Sequence, residues 1–151
     1  MQSKYLELLK PLREVSTKIN WNDKDVYANY LAQTFYYVSH STRLLAAAAS
    51  RFSQEESHFH RRFLKHCSEE NSHEILAKND LEHLGHDLRK IPEFPETRMF
   101  YETQYYKIEH QDPITLLGYI LPLEIIACTE CPKLYKSVSA KWGEKVATFL
   151  K

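Results

Sequence analysis

An all-α fold is what this sequence predicts, and three observations carry that reading. Glycine is scarce, apolar residues recur at helical spacing, and caps and prolines divide the chain into helical blocks. The 151 residues contain three glycines, where about ten would be usual. That is too few for a phosphate-cradling loop, a nucleotide-binding βαβ unit or a turn-rich β-sandwich. The length suits about one domain, and such a fold buries roughly 70% of its unfolded surface, so it needs no disulfide or structural metal to form. The chain is read as one helical domain over residues 1–151, with its C-terminal part incomplete.

The elements follow in order. Residues 3–19 form a first amphipathic helix with a kink at Pro11. Asn22-Asp23 caps a long aromatic-rich helix from Lys24 to Arg51, which ends in Ala46-Ala47-Ala48-Ala49, residues small enough for close helix approach. Ser53-x-x-Glu56 is a capping box that opens a second long helix, stopped by Gly85. Ile91 to Pro95 is a loop, and Glu96 to His110 a helix with a Tyr101, Tyr105, Ile108 face. Asp112-Pro113 caps an apolar helix to Cys131, kinked at Pro122. A last helix starts near Gly143, buries Val146, Phe149 and Leu150, and is still amphipathic at Lys151. Because no Gly, Asn or Pro closes it, the chain is expected to end early.

Charge and cysteine usage exclude several partners. Twenty Lys plus Arg balance twenty Asp plus Glu, which gives no electrostatic case for nucleic acid or an anionic membrane surface. Three cysteines, Cys67, Cys128 and Cys131, imply no disulfide framework. With no signal-peptide pattern at the start, the expected compartment is the cytoplasm. The apolar run Ile114–Cys128 is shorter than the ~20 residues that span a bilayer, so it reads as a buried core helix. Cys128-x-x-Cys131 lacks the second ligand pair of a structural zinc site and reads as two core thiols.

The chemistry lies in two misplaced charges. Indexed at 100° per residue, the Ser53–Gly85 helix carries one stripe of Phe59, Phe63, His66, Glu70, His73, Ala77, Leu81 and Leu84. A carboxylate on a core stripe must be neutralised, paired or bound to metal. Glu70 and His73, three residues apart, deliver an oxygen and a nitrogen to one point, as in carboxylate-bridged di-iron helical bundles. A second Glu-x-x-His, Glu55 with His58, sits in the first turn, where the helix dipole accounts for the acid. Glu124 is the only charge between Leu116 and Cys128, surrounded by Leu117, Ile120, Leu121, Cys128 and Tyr135. It must be protonated, paired or a ligand. Two buried carboxylates and a histidine suggest one shared cation; a buried Glu–His hydrogen-bond network is the alternative.

Glu69-Glu70-Asn71-Ser72-His73-Glu74, followed by Asn79-Asp80-Leu81 and Leu84-Gly85, resembles the first ligand helix of the haem-oxygenase-like di-iron oxidases and oxygenases, including their CADD-like branch. Leu117-Gly118-Tyr119-Ile120-Leu121-Pro122-Leu123-Glu124 is similar to that family's second ligand helix. The resemblance implies a haem-oxygenase-like multi-helix bundle, iron as cofactor, two irons in a complete protein, and oxidation of a small organic substrate by dioxygen. Glu70, His73 and Glu124 would be the metal ligands. The family's third ligand helix, His-x-x-x-Asp-x-x-His, has no counterpart after Glu124, and Thr148-Phe149-Leu150-Lys151 looks like the residues just before it. The partners implied are a small molecule and dioxygen, with a second copy as a candidate homodimer partner and neither nucleic acid nor membrane. Two alternatives stay open: a non-catalytic interaction protein of the same fold with a buried Glu/His network, and a haem- or pyrimidine-binding relative, in which His40 would be the axial candidate.

Overall fold

The structure, a computed structural model, describes residue 7 and residues 10–151, apart from the side chain of Leu12. Among residues 10–151 the α-helices are, in order, α1 (Lys10–Ser16), α2 (Lys24–Val38), α3 (Ser41–Arg51), α4 (Ser57–Glu69), α5 (His73–His83), α6 (Pro95–His110), α7 (Leu117–Thr129) and α8 (Cys131–Trp142). There is no strand among the described residues. The predicted first helix ends at Ser16, and the expected kink at Pro11 turns on residues 8 and 9, which lie outside the described residues.

Each of the two long predicted helices is broken once. The Lys24–Arg51 helix starts where its cap predicts, with the Asp23 carboxylate accepting from the N–H groups of Asp25 (2.9 Å) and Val26 (3.2 Å). It breaks after Val38, where the Ser39 hydroxyl donates back to the Phe35 carbonyl at 2.6 Å, a contact that bends helices. In the second, the Glu56 carboxylate accepts from both the N–H and the hydroxyl of Ser53. That box closes a turn, and α4 begins only at Ser57. α4 then stops at Glu69, and Ser72 adopts left-handed φ of 71° before α5 begins. Asn71 and Ser72 are weak helix formers whose side chains compete for the backbone. Gly85 ends α5 as predicted: its N–H donates to the Glu82 carbonyl and that of His86 to Leu81, at 2.9 and 3.1 Å, the paired bonds of a glycine-terminated helix.

The break at 70–72 moves the continuous apolar stripe from one core to another. Phe63 on α4 packs with Leu44, Leu45, Ala48 and Ala49 of α3, Tyr101 and Ile108 of α6, and Tyr119 and Ile120 of α7. Ala49 is fully buried, so the alanine run does permit the close α3–α4 approach, and the His60 ring bonds to its carbonyl at 2.7 Å. Beyond the break, Leu81 on α5 and Leu84 just after it join Tyr27, Ala28 and Leu31 of α2, Val138 of α8, and Val146 and Leu150 in a second core.

The loop before α6 is locked as expected between elements: the Gln33 amide donates to the Pro92 carbonyl and accepts from the Phe94 N–H and the Thr97 hydroxyl, all at 2.8–3.0 Å. Toward the C-terminus, Pro122 lies inside α7, and the helix expected to reach Cys131 ends at Thr129, where the chain changes direction by 50° into α8. Among the described residues, no single helix is long and apolar enough to cross a membrane. After α8, an element the sequence reading does not assign, no further α-helix forms. Glu144–Val146 and Thr148–Leu150 are 3-10 turns. Fully buried Asp80 captures the Thr148 hydroxyl and, at 2.8 Å, the Phe149 N–H, which ties this last turn to α5.

Candidate metal centre

The site lies where α4 meets α7 over the floor made by α3. His66, in the last turn of α4, presents Nε2 to Glu124 Oε1 at 3.1 Å and to Glu70 Oε1 at 3.5 Å. One ligand atom from each of His66, Glu70 and Glu124 lies within 4.8 Å of the others. The second oxygen of Glu70 faces His73 Nδ1 at 3.3 Å. A metal about 2.1 Å from each donor holds adjacent donors roughly 3 Å apart, so the His66–Glu124 and His66–Glu70 spacings suit a shared cation. Two carboxylates and imidazole form the nitrogen and oxygen set that first-row transition metals accept.

The sequence reading is altered in two ways. His73 is tied to Glu70 rather than to the three-residue cluster, because the left-handed turn at Ser72 comes between the two residues, and its side chain is 45% exposed. His66, on the same stripe four residues before Glu70, takes the central position and is only 12% exposed. Its i,i+4 spacing to Glu70 was the signal available for it. Glu124 does reach Glu70, but it is 48% exposed, not buried in an apolar face. Only Tyr119 and Ile120 of α7 are buried, so the helix is covered on one side and Glu124 lies at the rim.

A small cavity of about 40 Å³ is lined by the three donors with Ser41, Leu44, Leu45, Tyr119, Ile120 and Leu123. Beside it a cleft of about 240 Å³ shares His66 and Glu124 and adds Arg62, Phe63, Glu69, Leu117 and Leu121. Tyr119 is 6% exposed, and its hydroxyl has no hydrogen-bond partner among the described residues. Burial first, and then the neighbouring Tyr37, Tyr105 and Glu70, push its pKa up, so it stays a neutral donor. His40 lines neither space. Its ring lies flat on Tyr101 with centroids 3.7 Å apart, and Nδ1 pairs with the Tyr105 hydroxyl at 2.9 Å. The three thiols are free, as expected, though Cys128 is exposed and not a core residue.

Comparison with known proteins bears on the fold alone. No protein-family model matches the chain. No curated protein matches its sequence. Among solved structures it is similar to a domain of unknown function with a haem-oxygenase-like fold from Shewanella denitrificans OS217, at 21% identity and a TM-score of 0.57, over 95% of this chain and 78% of that one. The chain has a haem-oxygenase-like, all-α fold.

Proposed function

We propose that this protein is an iron-dependent oxidase or oxygenase of the CADD-like kind, holding metal through His66, Glu70 and Glu124 and oxidising a small organic substrate with dioxygen. The observation that carries the reading is the convergence of one imidazole and two carboxylates, from the end of α4 and from α7, on a point beside a cleft. Iron in such a ligand set supplies the activation of dioxygen. Glu70 binds with one oxygen and is oriented through the other by His73. His66 is held by α4 packing on α3, and Glu124 at the rim closes the set from α7.

The size of the cleft supports a small substrate. At about 240 Å³, it is smaller than the roughly 300–1,000 Å³ of drug-sized pockets. Phe63, Leu117, Ile120 and Leu121 supply apolar walls, and the Arg62–Glu69 ion pair at 3.4 Å supplies a charged edge. A non-catalytic reading draws on one observation: the His66–Glu124 contact already satisfies both groups without metal. Dioxygen uptake separates the two. Protein loaded with ferrous iron is expected to consume dioxygen faster than the same iron in buffer, and Glu70→Ala or Glu124→Ala should return the rate to that of buffer. Equal rates with and without protein would contradict the proposal.

A further inference from the structure

Cys128-x-x-Cys131 straddles the break between α7 and α8, and neither thiol has a part in the metal site. Cys128 is exposed and Cys131 half-buried. An intact helix resists a disulfide at this spacing, because it holds Cβ atoms three residues apart at about 5–6 Å, where the bond needs roughly 3.5–4.5 Å. This turn is not an intact helix. The N–H that would bond the Cys128 carbonyl belongs to residue 132, a proline, which has none and whose ring crowds that carbonyl. The chain accordingly changes direction by 50° here. Burial chiefly pushes the Cys131 thiol up, and Cys128 is near enough to add to the effect. Cys67 stands apart: it packs on the first core, with its thiol donating to the Thr42 carbonyl at 3.3 Å, whereas Cys131 packs on the second.

We propose that Cys128 and Cys131 are a reversible dithiol–disulfide pair that exchanges with low-molecular-weight disulfides, with Pro132 opening the turn that the bond must close. The exposed Cys128 thiolate attacks one sulfur of the small disulfide and expels the other half as a thiolate. Cys131, its proton lost to solvent, then attacks Cys128 in the mixed disulfide and expels the second half. Partial burial suits Cys131 to this second, intramolecular step. The protein gives up two electrons and two protons, and the small disulfide is reduced to two thiols. None of these steps involves His66, Glu70 or Glu124.

The test incubates the full, reduced, metal-free chain with oxidised glutathione under nitrogen at about pH 8, near the ordinary thiol pKa, then quenches with acid and reads intact and peptide masses. The wild type is expected to retain no glutathione and to yield the peptide holding both Cys128 and Cys131 lighter by two hydrogens, with Cys67 still open to alkylation after unfolding. Dithiothreitol should reverse the change. Cys131→Ser, which lacks the second thiol, should instead keep one glutathione on Cys128. Pro132→Ala restores an N–H opposite the Cys128 carbonyl and should shift the glutathione equilibrium about tenfold toward the dithiol. Glutathione kept on wild-type Cys128 as the stable product, a disulfide that includes Cys67, or no loss of thiols overturns the inference. An equilibrium unchanged in Pro132→Ala overturns it as well. The wild-type product decides the pairing even where a variant does not fold.

Discussion

His66 and His73 flank Glu70, four residues before it and three after, and each faces a different carboxylate oxygen. Sequence spacing alone makes them equivalent candidates on one helix face. The backbone distinguishes them, because α4 carries His66 into the α3–α7 junction and ends before His73. Removing His66 should therefore cost more metal affinity than removing His73. In Co²⁺ titrations, His66→Ala is expected to bind at least about tenfold more weakly than His73→Ala, since a ligand matters more than the group orienting one; equal losses would restore His73 to the ligand set. Exposure also sets the stability scale. Glu124→Ala in the metal-free protein should change unfolding free energy by about 1 kcal/mol or less, and Leu121, also exposed, should behave similarly on truncation. Leu45→Ala, at 2% exposure, should cost roughly 2–5 kcal/mol. Chemical denaturation of the three variants checks the contrast.

At the scale of elements, the helix limits at Asp23 and Gly85 were legible, whereas the helix breaks and α8 were not. Asp23 and Gly85 act through bonds that their residue types announce. Ser39 and Ser72 give no comparable signal, and each divides a helix whose apolar periodicity runs on unbroken. The Ser72 conformation is open to test. Its left-handed φ costs a side chain roughly 1–2 kcal/mol, and its hydroxyl makes no cap bond. Ser72→Gly, offset by the entropy of glycine, should stabilise by about 0.5 kcal/mol, whereas Ser72→Val should destabilise; thermal melts showing the opposite order would place the break elsewhere.

Asp80 governs the last element. Burial raises its carboxyl pKa above the usual range, and the hydrogen bonds from Thr148 and Phe149 reverse only part of that. A raised acid pKa makes a contribution that is fully present below the unfolded value of about 3.9 and lost as pH rises through the folded one. The wild type's stability relative to Asp80→Asn, whose amide does not titrate, is thus expected to fall as pH rises from 4 to 7. Asp80→Ala should cost roughly 1–2 kcal/mol by leaving the half-buried Phe149 N–H and the exposed Thr148 hydroxyl without their acceptor. A pH-independent difference between wild type and Asp80→Asn would show that Asp80 keeps an ordinary pKa.

For the whole molecule, composition and periodicity were enough for an all-α fold, and the Glu70 and Glu124 motifs were enough to bring two helices together. What they could not supply was the partition into two cores. That partition depends on which helix covers which, and the stripe from Phe59 to Leu84 reads identically whether it faces one neighbour or two. Nor could the apolar character of α7 locate Glu124, because only packing decides which side of an all-apolar helix stays open. The measurement that tests the central claim most directly is anaerobic titration of the protein with ferrous iron, followed by metal analysis after desalting. Saturable iron binding by the wild type, weakened at least about tenfold in Glu70→Ala, is the expected result. Iron that is not retained, or is retained equally by Glu70→Ala, would contradict the assignment of a metal centre to His66, Glu70 and Glu124.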